Sequence, residues 1–243
     1  MLILTIANMN KGVGKTVATQ RLAGALVRRG VRVLLLDLDP EMGRNLTHAL
    51  SSERLGPLST HTLYDALEEK RAITPFEVGP ALALIPAHSS LQRAETWRSL
   101  ALDQLGALDV FLRHALIEVY GQQHQLAQMY DVCLIDCPSG ISVLTWHSFV
   151  AADHILIPEW APPEAGCRFG GYPLTMDTAI RQRYRNARPT AGVCCKLSLP
   201  FDPRLARSSG HPLSLEVSEA VAAEQDAYWQ QLATQVVEWI GSP

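Results

Sequence analysis

The chain has 243 residues, of which 47% are hydrophobic, and its formal net charge at pH 7 is −3. This length suffices for one large domain with a full core, and no repeat, low-complexity tract or linker divides it, so we expect a single domain over residues 1–243. The small negative charge excludes a protein that coats nucleic acid with its whole surface, so any contact with DNA must come from a local basic patch.

The sequence also disfavours a secreted or membrane-spanning protein. Its apolar start is only about seven residues long and has no basic flank, which indicates a strand rather than a signal peptide. No run reaches the roughly 18 apolar residues that a membrane span needs. The five cysteines lack metal-ligand spacing with histidines. This favours reduced, buried thiols in a cytoplasmic protein.

Short apolar runs alternate with helical patterns along the chain. Residues 2–7 (LILTIA) predict a buried strand, and residues 15–29 predict a helix that Gly30 ends. Residues 32–37 (RVLLLD) predict a second strand, apolar enough for burial on both faces of a parallel sheet. Further strands are predicted at 81–86, 131–136, 154–159 and 191–197, and further helices at 103–120, 163–187 and 217–240. The alternation predicts an α/β fold, with a mostly parallel twisted sheet and helices on both faces.

A glycine-bearing turn joins the first strand to the first helix. In such a turn, backbone N–H groups surround a phosphate at the helix N-terminus, and Gly12 and Gly14 let the backbone approach closely. Lys15 is expected to reach the β- and γ-phosphates, and the Thr16 hydroxyl to ligate Mg²⁺. The sequence therefore predicts that this turn binds a nucleotide.

Aspartates follow two of the predicted strands. Asp37 and Asp39 follow the strand at 32–37, and Asp136 ends the strand at 131–136. Open α/β sheets bind ligands at this carboxyl edge. We expect Asp136 and Asp37 to join Thr16 in the metal site, Asp136 through water, and Asp39 to orient or activate the water that attacks the γ-phosphate. Alternatively, these aspartates are turn residues, because Asp-Pro favours turns.

Together these motifs resemble the ParA/MinD group of P-loop ATPases, whose Walker A motif is deviant. The stretch IANMNKGVGKT is similar to the family pattern A-N-Q-K-G-G-V-G-K-T, and VLLLDLDPE to V-L-L-I-D-x-D-P-Q. YDVCLIDCPSG (130–140), AADHILIPEWAPPEAG (151–166) and LPFDPRLARSSGHPL (199–213) follow in family order. The resemblance implies a Mg²⁺-dependent ATPase that forms a homodimer on binding ATP, with Asp39, Lys15 and Lys11 as catalytic residues. The nucleotide-binding residues expected on this basis are Asn10, Lys11, Gly12, Val13, Gly14, Lys15, Thr16, Val17 and Pro200.

The family's signature lysine, which reaches across to the partner's phosphates, is displaced in this chain. Aligned without gaps, Asn10 stands at its position and Lys11 at the following glycine. One hypothesis is that Lys11, or another basic residue, substitutes for the signature lysine. The alternative is that Lys11 points at solvent and that dimerisation or hydrolysis is weakened. A left-handed backbone at Lys11 would cost about 1 kcal/mol or more.

The resemblance also raises the question of partners. ParA-type members bind DNA without sequence preference when ATP is bound, whereas MinD-type members bind membrane through a basic amphipathic C-terminal helix. The last predicted helix here has no Lys or Arg, so we expect it to dock on the core rather than on a membrane. A basic cluster is a candidate for DNA contact, or alternatively a solvated helix end. Its residues, with two that follow, are Arg181, Arg183, Arg185, Arg188, Arg204 and Arg207.

The function implied by the resemblance is an ATP-gated dimeric switch that partitions a plasmid or chromosome, or positions a cargo on the nucleoid. Such a protein is cytoplasmic and nucleoid-associated, and a ParB-like cargo-side adaptor stimulates its hydrolysis. Two alternatives stay open. One is a nucleotide-binding regulator or scaffold with negligible hydrolysis, and the other is a MinD-like positioning protein.

Overall fold

The computed structural model describes residues 1–8, 11–41, 43–50, 63–64, 73–97, 112, 125–140, 142–160, 194–199 and 219–241. Their strands are β1 (Leu2–Ile6), β2 (Val33–Asp37), β3 (Phe76–Gly79), β4 (Leu82–Ile85), β5 (Val132–Asp136), β6 (His154–Trp160) and β7 (Cys194–Leu199). Their α-helices are α1 (Lys15–Val27), α2 (Leu46–Leu50), α3 (Gln125–Met129), α4 (Val143–Ala151) and α5 (Glu219–Gly241), and Ser89–Trp97 forms a 3₁₀ helix.

The seven described strands form one sheet in the order β3-β4-β2-β5-β1-β6-β7. All neighbours are parallel except β3, which runs antiparallel to β4 at one edge. The predicted α/β fold with a mostly parallel sheet is therefore confirmed. Strand β5 lies between β1 and β2, and the register pairs Asp136 with both Ile6 and Asp37. This register brings the loops after β1, β2 and β5 together at the carboxyl edge of the sheet.

Both faces of the sheet are buried. Successive strand residues point to opposite sides of the sheet, and two separate core clusters receive them. On β1, Ile3 belongs to a cluster with Phe149 of α4, and Leu4 belongs to a second cluster with Leu22 of α1. Every residue of β2 and β5 is buried. Helices therefore cover both sides of the sheet, as the continuous apolar runs predict.

Helix α5 packs against α1 in the second of these clusters. Trp229 and Val236 of α5 are buried with Leu26 of α1. The guanidinium of Arg28 also forms an ion pair with Asp226, at a distance of 2.5 Å. The core-docked position expected for this helix is confirmed. None of the helices in the described ranges combines the length and the apolar character that a membrane crossing requires.

Several elements differ from the sequence-based expectation. The edge strand β3, the short helices α2 and α3, the helix α4 and the 3₁₀ helix were not predicted. The last strand, predicted at 191–197, is described over Cys194–Leu199 and continues two residues past the predicted end. The helices predicted at 103–120 and 163–187 lie outside the described residues, apart from Leu112.

Candidate functional site

The turn between β1 and α1 has the backbone geometry of a phosphate-binding loop. Gly12 and Gly14 have φ angles of 74° and 87°, in the left-handed region that favours glycine. Gly14 is also the N-cap of α1, and no side chain caps the helix there. Lys11 is not left-handed, since the one described non-glycine residue with positive φ is Ala81. The cost that a left-handed backbone would carry at Lys11 therefore does not arise.

Lys15 lies at the first position of α1 and points into the site. The residue is only 7% exposed, and its Nζ donates a hydrogen bond to Ser139 Oγ at 2.9 Å. Burial lowers the pKa of Lys15, and the nearby carboxylates of Asp136 and Asp39 act in the opposite direction. The desolvated ammonium of Lys15 thus lies at the start of α1, where its hydrogen bond to Ser139 joins it to the loop that follows β5.

Thr16 and Asp136 form the second half of the site. The Thr16 hydroxyl donates to Asp136 Oδ2 at 2.7 Å. Asp136 is fully buried, and its Oδ1 has no hydrogen-bond partner among the described residues. Burial, followed by the charge of Asp37, raises the pKa of Asp136 well above its usual range. A buried, unsatisfied acceptor needs an explanation, and a bound ion is one of the few available.

These two residues fit a divalent cation that takes its other ligands from elsewhere. A hydroxyl and a carboxylate oxygen are hard donors, which Mg²⁺ prefers. The described residues contain no group of three or more His, Cys, Asp or Glu side chains that could hold a metal by themselves. Mg²⁺ commonly uses one or two protein ligands and completes its shell with water and substrate phosphates. The donor set therefore suits a metal that binds together with a nucleotide.

Asp37 has a different set of contacts. Its Oδ2 accepts hydrogen bonds from the amide and the hydroxyl of Thr47 at 2.7 and 2.6 Å, and its Oδ1 accepts one from the Asp39 amide at 2.9 Å. Burial raises the pKa of Asp37 to about 7, against the effect of these hydrogen bonds. Both oxygens are engaged in fixing the loop after β2, so a role of Asp37 in metal binding stays a prediction.

Asp39 and Lys11 lie at the mouth of the site. Asp39 is half-buried, its Oδ1 accepts from the Glu41 amide at 2.9 Å, and its carbonyl accepts from Asn45 Nδ2 at 2.8 Å. Burial raises the pKa of Asp39, whereas the charges of Lys15 and Lys11 lower it. Lys11 itself is exposed and forms an ion pair with Glu41 at 3.0 Å. The structure thus brings Lys11, Lys15 and Asp39 within electrostatic reach of one another.

The remaining predicted residues divide into two groups. Val13 is buried in the loop and Val17 is half-buried in α1. The others lie outside the described residues, and their roles stay predictions. They are Asn10, Pro200, Arg181, Arg183, Arg185, Arg188, Arg204 and Arg207.

Three residues of the site were missed by the sequence analysis. Ser139 contacts Lys15 from a position 124 residues away, Thr47 supports Asp37, and Glu41 pairs with Lys11 across 30 residues. Ser139 and Glu41 lie in the same motifs as Asp136 and Asp39, so proximity to a predicted strand end was the available signal. Nothing in the sequence around Thr47 marks it.

Fold and site together define the class of protein. A strand, a glycine turn that carries Lys-Thr and a helix are followed by an aspartate at the end of the adjacent parallel strand. The combination of this phosphate loop with the Walker-B aspartate is that of a P-loop NTPase.

Comparison with known proteins narrows the class to a family. Residues 1–165 match the family AAA_31, described as an AAA domain, and the chain belongs to it. The chain is 35% identical over 159 residues to the chromosome partitioning protein ParA of Caulobacter vibrioides, which is 64% of this chain and 55% of that protein. It is 35% identical over 162 residues to the maintenance of carboxysome distribution protein A of Synechococcus elongatus, which is 65% of this chain and 58% of that protein. The resemblance to ParA-like proteins is therefore confirmed.

The same fold occurs in solved structures. The cobyrinic acid a,c-diamide synthase of Mycobacterium smegmatis superimposes with a TM-score of 0.68 at 24% identity, covering 100% of this chain and 96% of that one. At this identity the likeness concerns the fold alone. The chain spans little more than half the length of the curated relatives named above.

Proposed function

We propose that the chain is a Mg²⁺-dependent ATPase that acts as an ATP-gated dimeric switch in DNA partitioning or in cargo positioning on the nucleoid. The observation that carries this proposal is the buried arrangement of Lys15, Thr16 and Asp136, with an open carboxylate oxygen beside a phosphate loop. The relatives support the biological setting, since the name of one refers to chromosome partitioning and the name of another to carboxysome distribution.

The chain's own groups account for binding of the triphosphate. The left-handed glycines at 12 and 14 turn the loop so that backbone amides face an anion, and the N-terminus of α1 adds its positive dipole. The Lys15 ammonium is already desolvated, which strengthens its attraction to phosphate relative to an exposed lysine. Ser139 holds this ammonium in place, and the phosphates would take over that hydrogen bond.

Thr16 and Asp136 would hold Mg²⁺. When bound, this ion would neutralise charge on the phosphate oxygens as it does in other phosphoryl-transfer sites. The structure of the Mycobacterium smegmatis neighbour is described as having bound ADP and magnesium, which supports ATP and Mg²⁺ as the ligands here.

Asp39 would position the attacking water. The water oxygen attacks the γ-phosphorus and the bond to the β–γ bridging oxygen breaks, so that ADP and hydrogen phosphate leave and the second proton of the water passes to solvent. The Asp39 carboxylate accepts a hydrogen bond from the Glu41 amide, and the Asp39 carbonyl accepts one from Asn45. These contacts hold the side chain at the mouth of the site. This anchoring reduces the entropic cost of placing the water.

Lys11 would supply the charge that the displaced signature lysine supplies in the family. Its side chain is 75% exposed, which suits a group that reaches the nucleotide of a facing subunit. The proposal further includes a homodimer and a non-specific contact with DNA through the arginines. It also includes a ParB-like adaptor and a cytoplasmic, nucleoid-associated location.

A second candidate is a nucleotide-binding regulator with negligible hydrolysis. The observation that favours it is the Lys11–Glu41 ion pair, which engages the replacement lysine within its own subunit. Asn10, at the signature position, offers no charge. In this case nucleotide would bind but turn over slowly.

Steady-state ATP turnover with and without DNA separates the two candidates. The switch predicts turnover that needs Mg²⁺, that DNA or an adaptor raises, and that falls at least about 100-fold in Asp39→Ala. Binding of ATP without turnover above that of Lys15→Ala would favour the regulator. A Lys11→Ala variant that dimerises and hydrolyses as the wild type does would refute the role of Lys11.

The DNA contact has its own test. If the arginine cluster neutralises phosphates, affinity for DNA falls steeply with salt, and each Arg→Ala change lowers the slope of log K against log salt by roughly 1. The test variants are Arg183→Ala and Arg185→Ala. The control is Arg21→Ala, which removes an arginine of α1 outside the cluster. Binding that ignores both ATP and salt would contradict a phosphate-contacting role.

A further inference from the structure

The Lys11–Glu41 ion pair joins the two loops that line the mouth of the site. Lys11 Nζ lies 3.0 Å from Glu41 Oε2, and the two side chains are 75% and 49% exposed. Lys11 is in the phosphate loop after β1, and Glu41 is in the loop after β2. Both stand where the family pattern quoted above has an uncharged residue, glycine for Lys11 and glutamine for Glu41.

The backbone of Glu41 is fixed by the aspartates of the site. Its amide donates to Asp39 Oδ1 at 2.9 Å, and the Asp39 amide donates to Asp37 Oδ1 at 2.9 Å. Asp37 is in turn held by Thr47. Hydrogen bonds therefore tie the Glu41 backbone to the aspartates of the site, and its carboxylate lies within ion-pair distance of Lys11.

The charge of Lys11 reaches the centre of the site. The hydrogen bond and the charge of Lys11 are the two largest causes that lower the pKa of Glu41. Lys11 is also among the charges that act on the pKa of Lys15, after burial and the nearby carboxylates. A triphosphate bound at Lys15 would therefore lie within electrostatic range of the Lys11 ammonium.

The relative strengths of the two interactions set the direction of exchange. Exposed ion pairs contribute little free energy, because water screens them and two long side chains must be ordered. Hydrogen bonds from ammonium to phosphate are charge-assisted, and a triphosphate carries several negative charges. Lys11 can therefore leave Glu41 at small cost when phosphates are present.

We propose that Glu41 is a positioning residue that competes with the nucleotide's phosphates for Lys11. In the nucleotide-free chain Lys11 pairs with Glu41, and on binding of Mg-ATP, before a dimer forms, it transfers to a phosphate of the nucleotide in its own subunit. This inference rests on the proposed function, since it requires ATP at the phosphate loop.

A double-mutant cycle on Mg-ATP affinity tests the competition. We measure the dissociation constant by calorimetry for the wild type, Glu41→Gln, Lys11→Ala and the double variant. Glu41→Gln should tighten binding by up to about fivefold, the upper limit that loss of an exposed pair allows. Lys11→Ala should weaken binding, and adding Glu41→Gln to it should change nothing further.

The control removes the same charge elsewhere. Asp226→Asn breaks the exposed pair with Arg28, which lies at the C-terminal end of α1, away from the phosphate loop, and should leave the affinity unchanged. An equal effect of Glu41→Gln with and without Lys11 would overturn the proposal, because it would show a general electrostatic effect of the carboxylate. No effect in the wild-type background would overturn it as well. Failure of the wild type itself to bind Mg-ATP would instead refute the proposed function, and this inference would fall with it.

Discussion

Replacing Thr47 with valine removes one hydroxyl from the buried support of the loop after β2. This hydroxyl donates to Asp37 Oδ2 at 2.6 Å and accepts from the Ala87 amide at 2.8 Å. Valine has nearly the same shape, so the change deletes two hydrogen bonds and creates little cavity. Asp37 would keep the bonds from the Thr47 and Asp39 amides.

The magnitude follows from the two groups that lose their partner. Above the pKa of Asp37, where its carboxylate is charged, the hydrogen bond to it contributes about 1.5–3 kcal/mol, and an orphaned buried amide costs about 1–3 kcal/mol. We therefore expect Thr47→Val to lower the free energy of unfolding by about 3–5 kcal/mol. In a chain of this size each kcal/mol shifts the melting temperature by roughly 2–4 °C, so the expected loss is at least about 6 °C.

Thermal unfolding followed by circular dichroism measures this loss, and Thr19→Val is the matched control. Thr19 is equally buried, but its hydroxyl donates at 3.1 Å to the Lys15 carbonyl inside α1, where the helix already supplies a donor. The control should lose less than about 1 kcal/mol. Equal melting temperatures for Thr47→Val and wild type, or equal losses in both variants, would refute the reasoning.

Three further predictions concern stability away from the loops of the site. Burial lowers the pKa of His147 to about 4. Between pH 7.5 and pH 5 the unfolded chain therefore binds a proton at this position that the folded chain does not, and the contribution of His147 to stability should fall by about 1–2 kcal/mol. Urea unfolding of His147→Phe should lose this part of the pH dependence, and an unchanged difference would contradict it. Trp229→Ala, at a residue 5% exposed, should cost about 3–5 kcal/mol, whereas Val237→Ala, 39% exposed on the same helix, should stay within about 0.5 kcal/mol. Similar losses in the two would argue against a docked α5. Gly30→Ala should cost about 1 kcal/mol through its φ of 79° alone, since no atom lies within 4 Å of the added Cβ, and a neutral result would show that the turn relaxes.

The sequence predicted those parts of the fold whose pattern is local. Strands β1, β2 and β5 are buried on both faces, so their apolar runs stand out and their predicted ends differ from the structure by one residue. Strand β3 has only four residues, none fully buried, and its antiparallel pairing with β4 depends on the neighbour rather than on its own pattern. Helix α4 is too apolar along its nine residues to show an amphipathic stripe.

The residues of the site also divide into those that a local pattern predicts and those that it does not. Lys15, Thr16 and Asp136 were predictable because a turn and a strand end place them wherever this fold forms. The supporting contacts were not, because they join distant parts of the chain. Ser139 reaches Lys15 only when the sheet sets β5 beside β1, and Thr47 reaches Asp37 only through the path of the loop after β2.

The proposed function depends on one site that binds Mg-ATP through Lys15, Thr16 and Asp136. A calorimetric titration of the wild type with Mg-ATP tests this site most directly, with Lys15→Ala as the control. We expect saturable binding of one nucleotide per chain, weakened when Mg²⁺ is withheld and lost in Lys15→Ala. The absence of binding to the wild type, or equal binding to Lys15→Ala, would contradict it.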